Sequence, residues 1–178
     1  MNAPKSAPHV DFSRLTLCDA LDLALFVEEE ARDRYEEFAE QLAVHHTPAA
    51  AELFRKMARI EDKHRKALET RRRELFGKAP VRVARTQIFD VEAPEYGEAR
   101  VFMSVHQALE VALQSEVKAH GFFVAALESV RDPQVRALFE ELREDEVKHQ
   151  ELVRAEIERA APEDPGNPGD FCDDPAPL

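Results

Sequence analysis

Two Glu-x-x-His motifs, 85 positions apart, constrain this chain more than any other feature. The motifs are Glu61 with His64 and Glu146 with His149. On the helix predicted before each motif lies a single inward-facing glutamate, and these two glutamates, Glu28 and Glu116, are 88 positions apart. Glutamate and histidine three residues apart lie on one face of a helix and can bind a metal ion side by side. The sequence therefore predicts an all-α protein in which two duplicated helical hairpins form a four-helix bundle around a two-metal site.

The boundaries of the four helices follow from apolar periodicity and from proline and glycine positions. The predicted helices cover about Thr16–Val44, Thr47–Phe76, Arg100–Val130 and Asp132–Ala160. Residues 77–99 have no helical period, and we expect them to form a long crossover along the bundle. We thus predict three regions: a flexible N-terminal arm at residues 1–15, the bundle at 16–160, and a disordered, acidic, proline-rich tail at 161–178.

A metal-free bundle whose seam glutamates reach solvent is the alternative explanation of the motifs. It explains one glutamate on an apolar seam, but not four at one level of a bundle, where unpaired carboxylates repel each other. Two divalent cations would neutralise four carboxylates. Carboxylate and imidazole ligands together suit iron or manganese, and the lack of thiolate ligands argues against copper and structural zinc. We expect two iron ions per chain, with manganese as the second choice.

Composition narrows the partners and the cellular setting. The net charge of −12 over 178 residues argues against nucleic acid and against an anionic membrane surface. The two cysteines, Cys18 and Cys172, form no Cys-x-x-Cys pair, which excludes a rubredoxin-type iron site on this chain. No apolar stretch is long enough for a membrane span, and no signal-like segment is visible. We therefore expect a cytoplasmic protein.

The run from Glu28 to Tyr35, with the two Glu-x-x-His motifs, resembles the ferritin-like domain of rubrerythrins and erythrins. In those proteins a ligand glutamate likewise precedes a tyrosine by seven residues. The resemblance covers roughly residues 16–160. It implies a ferritin-like bundle with an oxo-bridged di-iron centre that reacts with hydrogen peroxide or dioxygen. Glu61 and Glu146 would bridge the ions.

Two departures from the family pattern bear on function. The rubredoxin-like domain of full-length rubrerythrins is missing, so a peroxidase cycle would need an external electron donor. Rubrerythrins also carry a further ligand glutamate three residues after the third-helix glutamate, where this chain has Ala119. His120 could approach the same metal face, and Tyr35 could hydrogen-bond a ligand carboxylate or supply an electron. We take Tyr35 and His120 as candidate catalytic residues.

Three functions stay open at the level of sequence. The first is a di-iron oxidoreductase that reduces peroxide or dioxygen while oxidising Fe(II). The second is a ferroxidase that passes Fe(III) to a storage or transport partner. The third is a metal-free module that docks through its acidic surface. We expect a homodimer, and the C-terminal tail could dock to an iron-storage or shell partner.

Overall fold

The computed structural model describes residues 10–44, 47–88, 91, 93–94 and 103–160. Four long helices make up most of these residues, and none of them forms a β-strand. The helices are α1 (Leu17–Val44), α2 (Pro48–Phe76), α3 (Val105–Ser129) and α4 (Pro133–Arg159). α1 packs mainly on α2, and α3 mainly on α4. The predicted architecture of two helical hairpins in one bundle is thus confirmed.

The helix ends show which of the predicted capping residues hold the ends of the helices. At the start of α4 the Asp132 side chain accepts hydrogen bonds from the backbone of Gln134 and Val135, as an N-cap should. Gly77 ends α2 with a φ of 56°, a left-handed conformation that favours glycine. Thr47 precedes α2 as predicted, but its hydroxyl donates to the Leu42 carbonyl instead of capping the helix.

α3 begins five residues later than predicted. Ser104 caps the helix by accepting from the Gln107 backbone, and the Gln107 side chain accepts from the Ser104 backbone in return. This reciprocal pair fixes the start of the helix at Val105, although the residues before it include good helix formers. The connection from α2 to α3 therefore covers residues 77–104. The predicted crossover lies partly outside the described residues.

Residues 10–15, predicted as part of a flexible arm, pack against the bundle. Val10 is buried, and a 3-10 turn at Phe12–Arg14 follows it. The Phe12 ring lies edge-on to Phe122 of α3 and Phe139 of α4, with ring centres 5.6 and 6.3 Å apart. Burial of an aromatic ring outweighs the disorder expected from the prolines nearby. Residues 1–9 and the predicted tail at 161–178 lie outside the described residues.

A polar layer divides the core into two apolar clusters. On every helix, the residues of one cluster precede the inward-facing glutamate and those of the other follow it. The first cluster includes Leu21, Val27, Phe123, Leu138 and Phe139. The second includes Phe38, Phe54, Met57, Leu109 and Val153. The predicted ligands thus occupy the middle of the bundle, at a common level.

Candidate metal centre

Each helix contributes one carboxylate to the polar layer. Glu28 comes from α1, Glu61 from α2, Glu116 from α3 and Glu146 from α4, and all four are at least 95 % buried. Each glutamate occupies a core-facing position of its helix, and the core-facing positions before and after it are apolar. Four carboxylates buried together carry a large desolvation cost, so this layer calls for compensating positive charge.

In the first hairpin, His64 lies beside two of these carboxylates without a hydrogen bond to either. Its Nδ1 atom is 3.7 Å from Glu28 Oε2 and 3.5 Å from Glu61 Oε2. We call Glu28, Glu61 and His64 the first half-site. Both distances from His64 Nδ1 to the carboxylate oxygens are longer than an ordinary hydrogen bond.

The second half-site consists of Glu116, Glu146 and His149. His149 Nδ1 is 3.1 Å from Glu116 Oε2, which is a hydrogen bond, and 3.7 Å from Glu146 Oε2. The Tyr35 hydroxyl, from the first hairpin, donates to Glu116 Oε1 at 3.4 Å. Both oxygens of Glu116 are therefore held by protein groups.

The two imidazoles connect the half-sites. The His64 and His149 rings are stacked, with centres 4.7 Å apart and planes within 3° of parallel. Their exposure differs, since the His64 side chain is 28 % exposed and the His149 side chain 8 %. The two half-sites therefore contact each other through these rings. His64 is the more solvent-exposed of the two histidines.

Several carboxylate oxygens of the layer have no hydrogen-bond partner. These buried atoms are Glu28 Oε2, both oxygens of Glu61, and Glu146 Oε2. Buried polar groups are normally paired, so four carboxyl oxygens without a partner in one layer fit the binding of metal ions. The donor set of carboxylate oxygens and imidazole nitrogens fits iron or manganese.

The pKa shifts record the same unbalanced charge. Burial raises the pKa of Glu28 well above its usual range, and repulsion from Glu61 and Glu146 adds to the effect. Burial also raises the pKa of Glu116, and that of Glu146 to about 8. Burial by itself lowers the pKa of His149, but the nearby carboxylates of Glu116 and Glu146 outweigh it and raise that pKa to about 11. Without metal, these shifts favour the protonated forms of the groups in this layer.

Two ligand triads are already assembled. In each, one ligand atom per residue lies within 4.8 Å of the others: Glu61 with His64 and His149, and Glu116 with Glu146 and His149. Glu28 belongs to neither triad but lies against His64. The structure therefore brings all six predicted ligands into one cluster, and His149 is common to both triads.

The bundle is closed on the side of α1 and α3. Arg34 of α1 donates to the carbonyl of Pro94, and Lys118 of α3 donates to that of Ala93 at 2.7 Å. Both Ala93 and Pro94 are buried, so this part of the crossover covers the face between the two helices. Of the six predicted ligands, His64 is the most exposed, so it is the ligand most accessible to solvent.

The two candidate catalytic residues, Tyr35 and His120, lie in different surroundings. Tyr35 is fully buried and makes the expected contact with a ligand carboxylate. Ala119 is buried as well, whereas His120 is half-buried and belongs to neither ligand triad. Gln150 was not among the predicted site residues, although its Nε2 donates to the Glu116 carbonyl at 3.3 Å. Its place directly after His149 is the only signal that could have pointed to it.

Comparison with known protein families identifies a family whose metal chemistry fits this cluster of ligands. A sequence model named Rubrerythrin matches residues 19–157, which include all six predicted ligands. The chain belongs to the rubrerythrin family. Proteins of this family bind di-iron carboxylate centres, and the buried carboxylates and histidines of this chain form candidate metal-binding groups at the matching place. Among curated proteins, no sequence matches the chain.

Two solved structures share the fold. An uncharacterised conserved protein from Magnetospirillum magnetotacticum MS-1 is 24 % identical, with a TM-score of 0.65 over 83 % of this chain and 97 % of that one. A hypothetical protein from Pyrococcus furiosus is 25 % identical, with a TM-score of 0.52 over 81 % of this chain and 89 % of that one. Together with the family match, they identify the fold as a ferritin-like four-helix bundle. No described helix is both long and apolar enough to cross a membrane.

Proposed function

We propose that this protein is a di-iron oxidoreductase that reduces hydrogen peroxide, or dioxygen, by oxidising Fe(II). The observation that carries the proposal is the layer of buried carboxylates, four of whose oxygens have no hydrogen-bond partner, beside two stacked imidazoles. Two iron ions bound there would supply two electrons, one from each Fe(II). Reduction of peroxide then needs two protons and gives two water molecules.

The residues of this chain have separate tasks in that reaction. Glu28, Glu61, Glu116 and Glu146 would balance the charge of the ions, and His64 and His149 would supply neutral nitrogen ligands. Tyr35 fixes the orientation of Glu116 through its hydroxyl. The crossover shields one face of the layer, so a small oxidant reaches it from the His64 side.

Iron content per chain tests the proposal directly. The protein would be loaded with Fe(II) without oxygen, freed of excess iron and analysed for metal. We expect about two iron ions per chain, and almost none in the Glu61→Ala/Glu146→Ala variant. A matched control is Glu69→Ala/Glu144→Ala, which removes two exposed glutamates from the same two helices. Equal iron in both double variants would contradict a bound di-iron centre.

Rapid mixing of the reduced protein then distinguishes the oxidants. We expect Fe(II) in the protein to be oxidised faster by peroxide than by dioxygen at equal concentration. Equal or reversed rates would remove the peroxidase interpretation. An external donor is needed to complete the cycle, and iron reduction by added electron-transfer proteins would identify it.

The partial exposure of His64 favours a second candidate function, iron oxidation for storage or transport. A ligand at the protein surface lets an ion enter and leave, whereas a resident cofactor needs no such route. This function predicts continued Fe(II) oxidation well beyond two ions per chain. Oxidation that stops at two ions in the absence of a reductant would exclude it.

A further inference from the structure

The two halves of the polar layer are related by the sequence repeat, but their neighbours are not. Glu28 corresponds to Glu116 at an offset of 88, and the same offset relates Tyr35 to Phe123. In the second helix of each hairpin the offset is 85, which relates Arg65 to Gln150. Groups that contact the ligands can therefore differ between two otherwise equivalent positions.

In the second half-site, the carboxylate from α3 is held on every side. Glu116 receives the Tyr35 hydroxyl on one oxygen and His149 on the other. Its backbone carbonyl accepts from Gln150, whose own side-chain oxygen accepts from Arg154 at 3.0 Å. Such contacts behind a metal ligand fix its orientation before the metal binds, which raises metal affinity about 10- to 100-fold.

In the first half-site, the side chains equivalent to Tyr35 and Gln150 do not make these contacts. Phe123 has no hydroxyl group to donate. Arg65 points to acidic residues of its own helix, since it binds Asp62 at 3.1 Å and Glu69 at 3.3 Å. Three carboxylate oxygens of this half-site, Glu28 Oε2 and both of Glu61, have no hydrogen-bond partner, against one, Glu146 Oε2, in the second half-site. Among the described residues, this half-site therefore has fewer hydrogen bonds to its ligand oxygens than the second one.

Exposure differs in the same direction. The His64 side chain is 28 % exposed, against 8 % for His149, although their rings are stacked on each other. Water that replaces a ligand atom must reach it, so an ion held by His64 is open to stepwise replacement. An ion held by Glu116, Glu146 and His149 is less accessible to water, because these side chains are at most 8 % exposed.

We propose that the two metal positions differ in exchange rate: the first half-site holds an exchangeable ion, and the second retains its ion. Tyr35 is the positioning residue that creates the difference. This inference rests on the proposed two-metal function and adds that the ions have unequal roles. The retained ion stays with the protein, while the exchangeable one connects the site to iron in solution.

Release of Co(II) to a chelator tests this inference without an activity assay. Co(II) resists oxidation, and its visible absorption reports its ligands. The full chain would be loaded with two Co(II) ions and mixed with excess EDTA. We expect two phases of equal amplitude, one ion each, with rates at least tenfold apart. Release of both ions in one phase would overturn the inference while leaving the two-metal site intact.

Substitutions assign each phase to a half-site. In His64→Ala we expect loss of the fast phase, with the slow ion still bound. In Tyr35→Phe we expect the slow phase to accelerate about tenfold and the fast phase to stay unchanged, because only Glu116 loses a contact. The matched variant Phe123→Tyr adds a hydroxyl at the duplicate position and should slow the fast phase. A Tyr35→Phe variant that alters only the fast phase would contradict the assignment.

Folding controls keep the outcomes separate. Circular dichroism of each variant would show whether the helices form, and His64→Ala, which changes a partly exposed residue, serves if Tyr35→Phe fails to fold. Less than one Co(II) per chain, with no further loss in Glu61→Ala/Glu146→Ala, would contradict the proposed function. Two ions with identical release rates would contradict only the inequality proposed here.

Discussion

The two hairpins carry the same ligand pattern, but away from the ligands their equivalent positions use opposite chemistry. In the first hairpin, Arg72 of α2 binds Asp22 of α1 with two hydrogen bonds, at 2.6 and 3.1 Å. Arg72 also donates to the carbonyls of Gly77 and Ala79, which begin the crossover. A buried ion pair thus closes this end of the hairpin and directs the chain that leaves it.

In the second hairpin, the positions equivalent to Asp22 and Arg72 are Glu110 and Ile157. Glu110 is exposed, and Ile157 packs against the second apolar cluster. An apolar contact thus stands where the first hairpin has a buried ion pair. The comparison teaches that the repeat is strict where metal ligands are needed, and that the surroundings follow the local task of each hairpin.

Raising the pH should separate the metal-free from the metal-bound protein, and this is the largest effect that we expect. Glu146 has its pKa raised from 4.5 to about 8 in the folded protein, so its contribution to stability is present below pH 4.5 and lost as the pH rises to 8. His149, raised from 6.5 to about 11, acts in the same direction at higher pH. Unfolding by urea at pH 5 and pH 8.5 in EDTA should show a loss of several kcal/mol.

With Mn(II) or Fe(II) bound, the trend should reverse, because cations compete with protons for the same ligands. Metal affinity would then increase between pH 5 and pH 8.5. A metal-free protein whose stability rises over this range would contradict the buried, unbalanced layer.

Removal of Arg72 should destabilise the protein by about 3 kcal/mol, because Arg72→Ala leaves Asp22 buried and unpaired. In the second hairpin, Ile157→Ala removes a partly buried apolar side chain and should cost about 1 to 2 kcal/mol. Urea unfolding at pH 7 measures both. Equal losses would mean that the ion pair and the apolar contact are interchangeable.

Substitution of the two single glutamates should have opposite effects on the metal-free protein. Glu28→Gln removes a repelled carboxyl whose Oε2 has no partner, and should stabilise the fold by about 1 to 2 kcal/mol at pH 8. Glu116→Gln breaks the charged contact with His149 and should destabilise it by a similar amount. Thermal unfolding in EDTA tests the pair, and shifts of the same sign would remove the contrast between the half-sites.

Arg71 should give the smallest effect and serves as the control for its neighbour Arg72. It binds Glu141 of α4 at 2.8 Å, but both side chains are more than a third exposed. Exposed ion pairs contribute little and are screened by salt, so Arg71→Ala should lower Tm by no more than about 2 °C. A loss as large as that of Arg72→Ala would show that charge alone, and not burial, closes the first hairpin.

The sequence predicted the fold and the ligand cluster because both depend on spacing. The offsets that relate Glu28 to Glu116 and His64 to His149 place the six ligands at one level as soon as the helices pair. Features that depend on contacts distant in sequence were missed. The Asp22–Arg72 pair joins residues 50 positions apart, and Phe12 finds its partners on α3 and α4. The period of a helix carries no information about such partners.

The start of α3 was missed for a different reason. The capping pair of Ser104 and Gln107 follows a known pattern, but the residues before it do not exclude a longer helix. The inequality of the half-sites was also beyond the sequence alone. It required the direction of the Tyr35 hydroxyl toward Glu116 and the exposed edge of His64.

The division of the core by a polar layer also has a consequence for the order of folding. Contacts within each hairpin are close in sequence, so α1 with α2 and α3 with α4 can form early. Each hairpin brings two carboxylates together, and docking of the hairpins adds the repulsion between the two pairs. A cation that enters then turns repulsion into attraction. The supply of metal ions would thus set how quickly a newly synthesised chain completes its structure.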